Sequence, residues 1–212
     1  MNSLLSAAAK LSRDYPVISE QMTKQRLEVI LRQLANVLNK NIPGDVAEFG
    51  CYVGTTSLFL RRLLDATGSD KQFHVYDSFS GLPAKTIKDA SVAGSDFKAG
   101  ELKAAKRELV RNFRHASLKP PVIHKGWFSE LEEKEIPDVL AFVFIDGDFY
   151  SSIMESLERV WGRLSKDGVV LIDDYKRSNL PGVTRAVEDF FQNIDVSIRH
   201  EKDLAIIRKK TS

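Results

Sequence analysis

Asp45-Val46-Ala47-Glu48-Phe49-Gly50-Cys51-Tyr52-Val53-Gly54-Thr55-Thr56-Ser57-Leu58-Phe59-Leu60 is the stretch from which the fold follows. The short run 45–49, with Val46, Ala47 and Phe49, reads as a buried strand. Residues 55–64 read as the helix that follows it. Between them Gly50-Cys51-Tyr52-Val53-Gly54 forms a loop whose glycines let a ligand approach the backbone at the start of that helix. A strand that passes through a glycine loop into a helix is the opening unit of an α/β sheet.

Working outward, the segment 18–38 places Met22, Leu27, Ile30, Leu31, Leu34 and Leu38 at the three-and-four spacing of an amphipathic helix, and Asn39, Asn41, Pro43 and Gly44 end it. Residues 1–40 therefore form an N-terminal helical arm. Beyond the loop, strands are expected at 73–77, 122–125, 139–145 and 169–173, with helices at 101–113, 151–164 and 183–191. Strands alternating with helices give a mostly parallel, doubly wound sheet. Two closing strands, near Val196 and at 204–207, are joined by a short turn and pair antiparallel. The Ser-, Gly-, Pro- and Lys-containing loop 78–100 is long for a structureless connection and is read as a mobile flap. No composition shift divides the 212 residues, so one domain, 1–212, is expected.

Composition narrows the function. Hydrophobic residues at 43% and charged residues at 28% belong to an ordinary globular chain, and a net charge of +2 names no partner. The Lys- and Arg-rich run 98–125 keeps helical apolar spacing and lacks interleaved aromatics, so it is read as a solvated helix face, with no nucleic-acid partner. Cys51 is the only cysteine, which rules out an intrachain disulfide and fits a reducing cytoplasm. Lys10 and Arg13 interrupt the early apolar residues before they make a signal peptide, and no apolar run is long enough to span a membrane. Nothing fixes the oligomeric state, and a homo-oligomer stays open.

In open α/β sheets ligands bind outside the carboxyl ends of the strands, near the point where strand order reverses. Glu48 and Gly50 close the first strand, and Asp77 closes the second, where an acid can accept hydrogen bonds from ribose hydroxyls. The spacing of Gly50 and Gly54 is G-x-x-x-G, not the G-x-G-x-x-G of a pyrophosphate cradle, which suits an adenosine ligand without phosphates. The plainer reading is a tight turn with close helix packing, a surface Glu48 and an Asp77 that caps a turn. Trp127 and Phe128, after Gly126 at a strand end, are core residues or flank an adenine ring. His74, His115, His124 and His200 are read as structural, and Cys51 as a small buried hydrophobe.

The later signal is stronger. Phe144-Ile145-Asp146-Gly147-Asp148-Phe149-Tyr150 and Leu171-Ile172-Asp173-Asp174-Tyr175 are apolar strands that each end in two carboxylates. Asp146 and Asp148 are two apart, so an extended chain points both to one side. Four acids converging in a crevice repel one another unless some are protonated or a cation is bound, and an all-oxygen donor set favours Mg²⁺, Mn²⁺ or Ca²⁺ over zinc. The structural alternative makes Asp148 the cap of the next helix and the others turn residues.

At these residues the sequence resembles the macrocin O-methyltransferase family, metal-dependent enzymes that methylate sugar hydroxyls. The likeness runs from about Met22 to Arg208 and rests on Gly44-Asp45-Val46-Ala47-Glu48, Asp77-Ser78-Phe79-Ser80-Gly81-Leu82-Pro83, Lys125-Gly126-Trp127-Phe128, Asp146-Gly147-Asp148-Phe149-Tyr150 and Asp173-Asp174-Tyr175. The resemblance implies a class I methyltransferase (Rossmann-like) sheet with S-adenosylmethionine as cofactor. It implies Glu48, Gly50, Gly54 and Asp77 around that cofactor, with Ser78 and Trp127 near the adenosine. It further implies magnesium held by Asp146, Asp173 and Asp174, and Asp148 as general base. The run Cys51-Tyr52-Val53-Gly54 departs from the family's usual glycine loop, and the flap after Pro83 has no counterpart, so the acceptor is expected only as a sugar or other hydroxylated metabolite.

Two rival readings stand beside this one. Asp146-Gly147-Asp148 also satisfies the D-x-D motif of metal-dependent glycosyltransferases, but that leaves the second acidic pair and the glycine loop unexplained. A non-catalytic ligand-binding protein on the same fold would be expected to have lost one of the four acids, and all are present. A dehydrogenase is disfavoured by the glycine spacing.

Overall fold

The structure is a computed structural model and describes residues 3–92 and 97–210. Helices α1 (Ser3–Asp14) and α2 (Lys24–Asn39) precede strand β1 (Asp45–Phe49), helix α3 (Thr55–Ala66) and strand β2 (Phe73–Asp77). Then come α4 (Lys106–His115), β3 (Val122–Lys125), β4 (Leu140–Ile145), α5 (Tyr150–Val160), β5 (Leu164–Ile172), α6 (Pro181–Phe191), β6 (Ile198–Glu201) and β7 (Leu204–Arg208). Among the described residues the strands form one seven-stranded sheet in the order β3-β2-β1-β4-β5-β7-β6. Strands β1 to β5 pair parallel, and β7 runs antiparallel to both β5 and β6. The mostly parallel, doubly wound sheet of the sequence reading is thus present, its direction broken by the closing hairpin.

The hydrophobic pattern explains the layering. Every residue of β4, Leu-Ala-Phe-Val-Phe-Ile, is buried, as expected of a central parallel strand covered on both faces. Phe142, Phe144 and Leu171 face a core built with Leu27, Ile30 and Leu34 of α2 and Leu60 of α3. Val143, Ile145 and Ile172 face the opposite core, with Ile153 and Leu157 of α5 and Val183 and Val187 of α6. No helix among the described residues is long and apolar enough to cross a membrane.

Several element boundaries differ from the sequence expectations, each for a local reason. The first predicted helix starts at Lys24, not residue 18, because Thr23 caps it by accepting the Arg26 N–H (3.2 Å) and the preceding residues run over the sheet end. The helix expected from residue 101 begins at Lys106, because the Glu101 carbonyl accepts the Leu82 N–H (2.9 Å) and its carboxylate the Lys98 N–H (3.0 Å). The strand expected at 169–173 begins already at Leu164, and its pairing with β4 shifts register between Leu140 and Phe142. Among its described residues the flap carries a single 3₁₀ turn, Ile87–Asp89, with a capping box between Thr86 and Asp89. Residues 93–96 of that flap lie outside the described residues.

The sheet aligns the site. Phe49, Ile145 and Ile172 stand side by side in register, so the residues that follow them emerge along one edge. The ladder continues one step further, with the Asp146 N–H donating to the Phe49 carbonyl (2.8 Å) and the Asp173 N–H to the Ile145 carbonyl (2.9 Å). Strand order reverses between β1 and β4, which is where such sheets open a crevice.

Candidate active site

The glycine loop is built for close approach. Gly50 has φ +84°, and a Cβ there would lie 2.0 Å from the Asp146 carbonyl oxygen, so only glycine lets β1 and β4 end so close together. Asp77 organises the loop from β2. One of its carboxylate oxygens accepts the N–H groups of Cys51 (2.8 Å) and Tyr52 (3.2 Å), and the other accepts that of Phe79 (2.7 Å). Gly54, also at positive φ, serves packing: a Cβ there would meet Leu109 Cδ1 of α4 at 2.2 Å.

A cavity of about 310 Å³ opens at this sheet edge. Gly50, Asp77 and Ser78 line one side, Gly126, Trp127 and Ser129 the next, and Asp146, Asp148, Asp173 and Asp174 the third. The flap adds Leu82 and Pro83, and the segment before α2 adds Gln21. Most of the site residues inferred from sequence therefore meet in one place. Glu48 and Gly54 are not among the lining residues. Glu48 is wholly buried beneath the loop, with the Ser57 hydroxyl donating to its carboxylate. Burial pushes its carboxyl up to about 8, against the Ser57 bond, and the Asp77 charge adds to the rise.

The acids converge, though not through an extended chain. Asp148 has φ +59°, and the Phe149 N–H folds back on the Gly147 carbonyl (2.6 Å), so 146–149 is a tight turn. Asp174 likewise has φ +57°. One oxygen from each of Asp146, Asp148 and Asp174 lies within 4.8 Å of the others, close enough to share one cation. Asp148 does not cap the next helix: the N-cap of α5 is Phe149, and the first helical N–H, that of Tyr150, donates to Asp89 Oδ1 (2.7 Å). Asp173 faces a different partner. Its Oδ2 accepts from Arg26 Nη1 (2.7 Å), while its Oδ1 is buried without any hydrogen-bond partner.

Arg26 is the residue that the sequence reading missed. It is buried on α2, donates from Nη1 also to Asp174 (3.2 Å), and from Nη2 to the Gln21 carbonyl (2.6 Å), tying the cavity wall to the acidic pair. The available signal was position: Arg26 shares the buried stripe of Ile30, Leu34 and Val37, where the other polar residue is the uncharged Gln33. Arg177 adds a second cation, donating to Asp174 (2.8 Å). Burial first, then the neighbouring carboxylates, push Asp146 and Asp148 well above the usual carboxylate range. The same causes bring Asp173 to about 7 despite Arg26.

The histidines lie elsewhere, as the sequence suggested. His74 and His124 stack with Tyr76 on β2 and β3, and none of the four histidines lines the cavity. Cys51 is a buried free thiol.

The family model of macrocin O-methyltransferase (TylF) matches residues 4–205. Demethyldecarbamoylnovobiocin O-methyltransferase of Streptomyces niveus is 30% identical over 200 residues, which cover 87% of this chain and 72% of that enzyme. The 8-demethyl-8-(2,3-dimethoxy-alpha-L-rhamnosyl)-tetracenomycin-C 4'-O-methyltransferase of Streptomyces olivaceus is 33% identical over 173 residues, 78% of this chain and 66% of the other. The solved structure of the O-methyltransferase NovP superposes with a TM-score of 0.80 at 26% identity, covering 98% of this chain and 88% of that one. The sheet is that of the class I methyltransferases, and the chain belongs to the macrocin O-methyltransferase family of enzymes.

Proposed function

We propose that the protein transfers the methyl group of S-adenosylmethionine to a hydroxyl of a sugar or another hydroxylated metabolite, with a Mg²⁺-like cation at the acidic centre and Asp148 as general base. The observation that carries this reading is the cluster of four carboxylates, Asp148, Asp173 and Asp174 buried and Asp146 half-buried, beside a cavity whose other wall is the glycine loop. The family and fold support the donor, and the relatives' names, a decarbamoylnovobiocin and a rhamnosyl tetracenomycin, support the acceptor class. The lone, buried Cys51 suits a reducing cytoplasm.

The donor set fits the cation. Repulsion among the four carboxylates, two of which Arg26 and Arg177 contact, is what a cation would relieve, and the buried Asp173 Oδ1 has no hydrogen-bond partner. Asp146, Asp174 and the unpartnered Oδ1 of Asp173 would hold the ion, and Asp148, whose oxygen lies within 4.8 Å of those of Asp146 and Asp174, would stand beside it for the proton. When bound, such a cation supplies Lewis acidity and orientation to the acceptor hydroxyl. Asp77 holds the loop that receives the donor, with Ser78 and Trp127 beside the adenosine. Arg26 and Arg177 fix the acidic pair. Asp148 would take the hydroxyl proton while the methyl group passes to that oxygen and the donor's sulfur keeps the bonding pair, leaving as S-adenosylhomocysteine; burial and the neighbouring carboxylates make Asp148 a stronger base than an exposed aspartate at ~3.9.

A labelled methyl donor offered with a panel of hydroxylated glycosides, in chelator and again with Mg²⁺ restored, tests the proposal. Label should enter an oxygen-linked methyl group only with Mg²⁺. Full transfer after exhaustive metal removal would remove the cation from the account, and glycosyl transfer from a nucleotide sugar would remove the reaction class.

A further inference from the structure

We infer that Glu155 reads the adenine of the methyl donor, its carboxylate accepting a hydrogen bond from the exocyclic amino group and rejecting purines that carry an oxygen there. The inference rests on the donor reading above. Six carboxylates line the cavity. Asp77 is committed to backbone N–H groups, and four aspartates make up the acidic centre. Glu155 is the one that neither task uses.

Its place on α5 gives it a partner. The helix starts beside the acidic centre and runs away from it, with Ser151 and Ser152 on the cavity in its first turn. Glu155 is one turn beyond Ser151, about 6 Å further along the axis and away from the acidic centre. The methyl group must face the acids, so the adenine belongs at the opposite end of the adenosine, beyond the ribose at Asp77 and Ser78. Glu155 stands at that end together with Gly126, Trp127 and Ser129. Arg159 pins this wall to α5 by donating to the Ser129 carbonyl (2.8 Å).

The chemistry matches an adenine. A flat ring needs an apolar surface, which Trp127 offers, and an acceptor for its amino edge, which an ionised carboxylate supplies without competing donors. Burial raises the Glu155 carboxyl, and the Ser129 amide works against that rise, so the group is a partly dehydrated acceptor, where a charge-assisted bond counts for more. A carbonyl oxygen at the same ring position would face the carboxylate with like polarity.

Calorimetry with S-adenosylhomocysteine and its deaminated counterpart S-inosylhomocysteine tests this without any turnover. The parent should prefer the adenosyl compound by roughly tenfold or more. Glu155→Gln, whose amide can donate to an oxygen, should bring the two affinities to within about threefold, and Glu155→Ala should lose the preference by weakening only the adenosyl compound. Thermal melts verify that both variants are folded. A parent that binds neither compound defeats the donor reading itself. A parent that binds both equally, or a Glu155→Gln protein that keeps the parental preference, overturns the inference alone. Two variants that fail to unfold cooperatively would make Glu155 a folding residue and also overturn it.

Discussion

Replacing Arg26 with Met removes the buried cation that joins α2 to the acidic centre while keeping much of its hydrocarbon volume. The Nη1–Oδ2 contact of 2.7 Å is worth about 6 kcal/mol in Coulomb energy at an effective dielectric of ~20, before the cost of dehydrating both groups. Breaking a buried pair from one side typically costs about 3–5 kcal/mol, because the remaining charge has no compensation. Asp174 keeps Arg177, whereas Asp173 keeps no cation in contact, so the loss should fall in that range, a large part of a typical domain's stability. The pH dependence follows from Asp173, which burial and Asp174 already raise to about 7. A carboxyl raised on folding contributes stability that is present at low pH and lost as pH rises through the folded value. Without Arg26 that folded value rises further, so the gap between parent and variant should widen from about pH 6 to about pH 8. Urea denaturation of both metal-free proteins at the two pH values reads this directly. A loss below about 1 kcal/mol at the higher pH, or a gap that narrows as pH rises, would refute the reasoning.

Other consequences can be checked with the same material. Asp77→Ala removes the acceptor of three loop N–H groups, so affinity for S-adenosylhomocysteine should fall at least about tenfold by calorimetry; an unchanged affinity would dissociate the loop from donor binding. Glu48, raised to about 8, should make the parent lose stability between about pH 5 and pH 8, since its folded form holds a proton that the unfolded chain releases. Glu48→Gln should therefore gain on the parent across that window by about 2 kcal/mol or more in denaturant melts, and parallel curves would show that Glu48 is not protonated in the fold.

The sheet was legible because its signals are local. The all-apolar run of β4 and the glycine loop after β1 each state their role within a few residues. The strand ends with Asp77, Asp146 and Asp173 were legible for the same reason, since register carries them to a common edge. What escaped were partners set by tertiary contact. Arg26 lies 147 positions from Asp173, and its charge on an apolar stripe reads as noise until the acids are placed opposite it. Glu48 and Gly54 looked like ligand contacts by spacing, but the structure sets Glu48 beneath the loop and Gly54 against α4. The convergence of Asp146 and Asp148 was anticipated from an extended chain and is reached instead through a left-handed turn, a conformation that spacing alone does not announce.

Asp148→Asn is the most direct test of the account, because asparagine tolerates the left-handed backbone at this position and keeps the side chain's size while losing the basic oxygen. Single-turnover methyl transfer at saturating donor and Mg²⁺ should fall by roughly a hundredfold or more, with donor affinity within about twofold of the parent. A single-turnover rate within a few-fold of the parent would contradict the assignment of Asp148 as the base.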